Sequence, residues 1–171
     1  NSQSTFQTPK FSISQIRTIL SPPMQKPKVA TAILNWNGKH WLEKFLPSVS
    51  ATDYANHHIV VIDNGSTDDS IDFLQELYPQ IMIVVNNGNY GFAGGYNEGL
   101  KEVDADYYAI LNSDVEVTPN WLNPLVDLLE ENPKIAACQP KILAYNQKTH
   151  FQYAGRSEER RVGKDQRHVM A

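Results

Sequence analysis

The sequence predicts an α/β protein with a mostly parallel sheet flanked by helices. Five short, strongly apolar runs recur between residues 28 and 145, and helix-patterned segments separate them. The runs are too apolar for strands with one wet face, so helices must cover both sides of the sheet. The polar residues that stand out follow the ends of those runs.

Each element can be justified in order. Residues 28–36, KVATAILNW, are a continuous β-run closed by Asn37-Gly38. In residues 39–49, Trp41, Leu42, Phe45, Leu46 and Val49 recur at helical spacing, and Pro47 is expected to kink or shorten the helix. HHIVVID, residues 57–63, is the second strand, with His57 and His58 expected on the surface before it; a turn and helix cap follow at 64–67. The helix at 68–78 places Ile71, Leu74 and Leu77 on one face, with acids in its first turn. Residues 81–87 form the third strand and give way to the glycine-rich GNYGFAGGYNEGL, whose end is read as a helix. YYAILNSD, residues 107–114, is the fourth strand. A helix follows at 119–133, started by Pro119 and stopped by Asn132-Pro133. Residues 135–145 are the fifth strand.

Composition narrows the function classes. Residues 24–155 hold eight Lys, sixteen Asp or Glu and no Arg, a net of −8 that argues against a nucleic-acid partner. No apolar run approaches the roughly 20 residues of a membrane helix, and no signal peptide is legible at the start. The single cysteine, Cys138, excludes an internal disulfide; a buried thiol in a reducing, cytoplasmic setting is expected.

The two ends read differently from the body. Residues 1–23 are Ser/Thr/Gln-rich without a lasting period, and are read as an extension outside the domain, either upstream sequence or a disordered natural segment. Residues 156–171 carry four of the chain's five Arg, and residues 156–164 resemble one reading frame of a sequencing-adapter oligonucleotide. The domain is therefore placed at residues 24–155, with both ends excluded from the fold.

In a parallel sheet, ligands bind beyond the carboxyl ends of the strands. Asn35 and Asn37 follow the first strand, Asp63 the second, residues 86–89 the third, and Asn112 and Asp114 the fourth, so four tips define one polar crevice. Asp63 suits either a turn that bonds local amides or a hydrogen bond to a base or ribose. The loop at 89–97 lets backbone approach a ligand, and its amides lead into a helix that suits an anion; it is neither a G-x-G-x-x-G fingerprint nor a Walker loop. Asp114 reads either as a turn cap or as a ligand for a divalent ion, which takes one or two carboxylates plus substrate phosphates. An Arg-free acidic crevice cannot neutralise a diphosphate alone, and a metal would supply that charge. Asn112 can position ribose or a metal-bound water. His40, near a helix start, is read as solvated.

With these residues in hand, residues 27–155 resemble the N-terminal half of a family 2 glycosyltransferase of the Rossmann-like GT-A fold. The carriers are VATAILNWNG, the acidic turn VVIDNGSTDDS, the glycine-rich NNGNYGFAGGYNEGL and YYAILNSDVEV. The resemblance implies that Asn35 and Trp36 flank the nucleotide base and that Asp63 bonds base or ribose. It implies that Gly91, Gly94 and Asn97 border the diphosphate, and that Asn112, Ser113 and Asp114 form a DXD-like element, with Asp114 the ligand of Mg²⁺ or Mn²⁺. Two departures, Asn112 for the first acid and Tyr96 where many members have Arg, resemble the rhamnosyltransferase-like branch with dTDP- or UDP-linked donors.

The implied reaction is inverting transfer of a sugar from a nucleotide-diphosphate sugar to a glycan or lipid-linked acceptor, in polysaccharide biosynthesis at or near the cytoplasmic membrane face. The family's base lies past the fifth strand, so the segment is read as truncated before it, with little transfer of its own. A silent nucleotide-sugar binding module and a nucleotidyltransferase are the alternatives. A phospho-acceptor domain is disfavoured by the missing paired acids.

Overall fold

A computed structural model describes residues 26–153 and 167–170 of the 171-residue chain. Strands β1 (Val29–Asn35), β2 (His57–Asp63), β3 (Met82–Val85) and β4 (Tyr107–Asn112) alternate with helices α1 (Lys39–Ser50), α2 (Ser70–Leu77) and α3 (Gly91–Gly99). A 3₁₀ turn, Leu100–Glu102, extends α3. Then come α4 (Leu122–Glu131), β5 (Ala137–Cys138), β6 (Ile142–Ala144), β7 (Gln147–Tyr153) and β8 (Arg167–Met170). The main sheet runs β3-β2-β1-β4-β8-β5 and every pairing in it is parallel; β6 and β7 form a separate antiparallel pair. The chain builds outward from β1 through β2 to β3, then returns to the other side of β1. The switch point lies between β1 and β4, where ligands of such sheets bind.

Strand alternation sorts the core. Ile33 of β1, Val61 of β2 and Leu111 of β4 pack with Leu42, Leu46 and Val49 of α1 and Leu74 of α2. Val29, Tyr107 and Ala109 pack with Leu122, Leu125, Val126 and Leu129 of α4. The intervening residues Ala30, Ala32, Val60 and Ile62 meet Tyr96 of α3 on the opposite face. Thr31 is a fully buried polar residue on the first face, and its Oγ1 lies 2.8 Å from His57 Nε2. Burial, with His58 alongside, pushes the His57 imidazole down to about 4.

Several local expectations need correction. Pro47 does not shorten α1: the helix runs to Ser50, and Ala51 N still donates to Pro47 O at 3.2 Å. A proline inside a helix costs about 3 kcal/mol. Burying Leu42, Phe45, Leu46 and Val49 at about 1.5–3 kcal/mol each outweighs that. In α2, Leu77 is 60 % exposed. Leu74 is instead joined by the partly buried Phe73 and Tyr78, so the packed face is rotated from the one the spacing suggested.

Pro119 precedes rather than starts α4; its carbonyl accepts from Asp53 N at 2.7 Å, and the helix opens at Leu122. The fifth apolar run divides into β5 and β6 around Pro140, which has no amide for a ladder. His57 and His58 are the first residues of β2 and are half-buried rather than preceding it on the surface. Cys138 is half-buried rather than buried, and partial burial raises its thiol. Residues 167–170 pair between β4 and β5, although they belong to the segment that the Arg distribution set apart.

Candidate functional site

The site begins where β1 and β2 end side by side. Their register sets Asn35 opposite Asp63, so two polar side chains arrive together at the sheet's carboxyl edge. Both are 1 % exposed. Asn35 Nδ2 donates to Asp63 Oδ1 at 3.0 Å and to Ser66 Oγ at 3.1 Å. Asp63 Oδ2 accepts from Ser66 N at 2.9 Å, three residues on, which is the local turn bond expected of an aspartate. Asn35 Oδ1 is buried with no hydrogen-bond partner among the described residues, an acceptor at the edge of the crevice.

Asn37 ties the two loops together from outside. Its φ of 50° is tolerated by asparagine, and its Oδ1 accepts from Thr67 N at 2.7 Å and Asp68 N at 3.3 Å. Asp68 in turn accepts from Lys39 N at 3.1 Å and from Ser70 N at 3.1 Å, satisfying amides at the starts of α1 and α2.

The glycine-rich loop closes the far side. Gly65 has φ +78°, and a Cβ there would lie 2.9 Å from Gly88 Cα, so the acidic turn and this loop touch backbone to backbone. Gly91, also at positive φ (70°), already begins α3, so the helix occupies most of a segment the sequence reads as loop. Gly94 lies inside that helix, and Asn97, in its second half, is exposed.

Tyr96 is the largest surprise at the site. It is 4 % exposed; its hydroxyl accepts from Leu34 N at 3.1 Å and donates to Leu111 O at 3.0 Å. It therefore fastens β1 to β4 at the switch point, and burial pushes its phenol up to about 12. Tyr96 therefore serves the sheet.

The remaining sequence-selected residues lie at the rim. Trp36 is 57 % exposed directly beyond β1. Asn112 ends β4 and is exposed, Ser113 is half-buried, and Asp114 is exposed in the turn that follows. Among the described residues no group of three or more His, Cys, Asp or Glu is set to hold a metal. His40 is exposed on the first turn of α1, with its ring 4.5 Å from that of Trp41. Sequence reasoning placed Asn64 and Ser66 in a turn with a helix cap and Asn86 and Asn89 at the crevice, but not the bonds they make. Their signal was the density of asparagines after strand ends.

A parallel sheet switched at β1/β4, with carboxylates and amides gathered at its carboxyl edge and a glycine-rich helix start beside them, defines a doubly wound, Rossmann-like α/β domain. The glycosyl transferase family 2 model matches residues 31–169, and the chain belongs to that family. An uncharacterized glycosyltransferase of Haemophilus influenzae is 32% identical over 114 residues, 65% of this chain and 35% of the relative. The N-acetylglucosaminyl-diphospho-decaprenol L-rhamnosyltransferase of Mycobacterium tuberculosis is 28% identical over 116 residues, 61% of this chain and 38% of the relative. The chain thus spans little more than a third of these relatives.

Among solved structures, S. aureus TarS in complex with UDP matches with TM-score 0.61 at 17% identity, over 70% of this chain and 37% of the other. The mannosyltransferase PcManGT of Pyrobaculum calidifontis, in complex with GDP-Man and Mn²⁺, matches with TM-score 0.60 at 20% identity, over 74% and 41%. The chain shares the GT-A fold with these neighbours. Among the described residues no helix is long and apolar enough to cross a membrane.

Proposed function

We propose that this chain is the donor-binding region of an inverting glycosyltransferase that moves a sugar from a UDP- or dTDP-linked donor to a hydroxyl of a glycan or lipid-linked acceptor. One observation carries the reading. The buried Asn35–Asp63 pair, the start of α3 and the exposed residues 112–114 all lie at the carboxyl edge of one parallel sheet, around its switch point. Asn35, Trp36 and Asp63 take the base and ribose. Gly91, Gly94 and Asn97, with the amides of Phe92 and Ala93 in the first turn of α3, border the diphosphate. A UDP-bound neighbour and a rhamnosyltransferase relative support the choice of donor, and that relative's lipid-diphosphate name supports the acceptor class. The thiol of Cys138 suits a reducing, cytoplasmic setting.

The residues present fit a divalent ion of the Mg²⁺ or Mn²⁺ kind. Asp114 offers one solvent-facing carboxylate, Asn112 and Ser113 adjoin it, and such ions complete their shell with substrate phosphates and water. A metal held by Asp114 would supply positive charge opposite the donor's diphosphate. The neighbour solved with GDP-Man and Mn²⁺ supports this assignment.

Calorimetric titration of the chain with UDP and dTDP, with and without Mn²⁺, tests the proposal. Binding is expected only with Mn²⁺, and Asp114→Ala should weaken it by about tenfold or more, equivalent to roughly 1.4 kcal/mol. A folded sample that binds neither nucleotide would sink the donor-site reading. Equal binding by Asp114→Ala would remove that residue from the metal site.

A further inference from the structure

Asn64 follows Asp63 directly and is 2 % exposed. Its side-chain amide uses its full bonding capacity, and all of it goes to the glycine-rich segment. Nδ2 donates to Asn89 Oδ1 at 3.0 Å and to Gly91 O at 3.2 Å. Oδ1 accepts from Asn86 Nδ2 at 3.0 Å and from Tyr90 N at 3.2 Å. Asn86, itself 5 % exposed, spends its second proton on Gly95 O at 3.1 Å, and Asn89 Oδ1 also takes Gly91 N at 2.8 Å. Asn64, Asn86 and Asn89 thus form a chain of amides between the acidic turn and the first two turns of α3. At its two buried members, Asn64 and Asn86, such bonding holds one geometry, because a displacement strands a polar group away from water.

We propose that Asn64 is a positioning residue that fixes the start of α3 relative to Asp63, so that the two ends of the donor site keep one separation. This rests on the donor-binding reading above. Asp63 faces the nucleoside end, and the amides of Phe92 and Ala93, next after the Gly91 N–H that Asn89 Oδ1 takes, face the diphosphate. Asn64 follows Asp63 in the chain and holds Tyr90 N and Gly91 O at the head of α3, so it sets the distance between them. Its loss should therefore penalise ligands in proportion to how far they reach toward α3.

The discriminating experiment compares UMP with UDP, both with Mn²⁺, on the whole chain and on two variants. Asn64→Asp keeps the acceptor toward Asn86 and Tyr90. It replaces the donor toward Asn89 Oδ1 and Gly91 O with an oxygen that repels both. Asn89→Ala, at an exposed position, removes one link of the chain without adding charge, and covers the case in which the buried aspartate prevents folding. The advantage of UDP over UMP should fall by about tenfold in Asn64→Asp, the scale of one lost buried hydrogen bond, and by severalfold in Asn89→Ala. UMP affinity should stay within about twofold in the uncharged variant. Equal weakening of both nucleotides, or an unchanged UDP advantage in Asn89→Ala, would overturn the positioning role. If the unaltered chain binds neither nucleotide, the donor-site reading itself fails, and Asn64 merely braces the fold.

Discussion

Asp63→Asn should lower the unfolding free energy by about 1–3 kcal/mol and remove nucleotide binding with it. The carboxylate is buried and receives two donors, Asn35 Nδ2 on one oxygen and Ser66 N on the other. A carboxamide has only one acceptor oxygen. Whichever way it turns, its NH₂ faces one of those N–H groups, and a buried donor is left unpaired. Relief from burying a charge offsets part of this loss but supplies no acceptor. The turn that presents Ser66, Thr67 and Asp68 would then loosen, and Asn35 would lose its partner across the strand ends. Urea unfolding should show a lower midpoint at unchanged slope. An unchanged midpoint would mean that the carboxylate does not hold the turn.

The second large effect should come from Gly99→Ala at the end of α3. A Cβ there would lie 2.4 Å from Ile62 Cγ2, 2.8 Å from its Cγ1 and 2.9 Å from its Cδ1. Ile62 has no exposed surface and belongs to the core between the sheet and α3, so it has nowhere to retreat. Alanine gains up to about 1 kcal/mol over glycine in helix propensity, whereas overpacking a filled core costs about 1–3 kcal/mol. The clash should win, and α3 should lift from the sheet. Pairing Gly99→Ala with Ile62→Ala tests the cause. The double variant should be more stable than the sum of the two losses predicts, because the second change empties the space the first one needs. Strict additivity would show that the two positions do not compete.

How much of this was legible follows from which interactions are local. β2 is the stretch His57–Asp63 that the apolar run marked, and β1 falls within its run, because strands covered on both faces leave a strong hydrophobic signal. The meeting of Asn35 with Asp63 follows once the two strands are parallel and in register, so that pair was within reach. The packed face of α2 was not. Phe73 and Tyr78 turn inward because the sheet and Ile81 offer them a surface, and spacing alone could not show that.

Longer-range features left weaker traces. RHVM, at residues 167–170, carries little strand character of its own; its place between β4 and β5 is a long-range pairing that Arg content cannot report. The amide hub was hidden for the same reason, since Asn64 meets partners 22 to 27 residues away. In the sequence Tyr96 stood out only as a departure where many members of the resembled family have Arg. Its hydroxyl is consumed by two backbone groups on different strands, a role that exists only once the sheet is assembled.

The central claim is that a metal-assisted nucleotide site lies at the carboxyl edge of this sheet around Asp114. The most direct test adds substoichiometric Mn²⁺ to the ¹⁵N-labelled chain in the presence of UDP and follows paramagnetic broadening of the amide signals. The account predicts that residues 113–115 broaden first, and the start of α3 and the turn after Asp63 next. Broadening centred instead on the exposed acids of α4, Asp127, Glu130 and Glu131, or spread evenly over the surface, would contradict it.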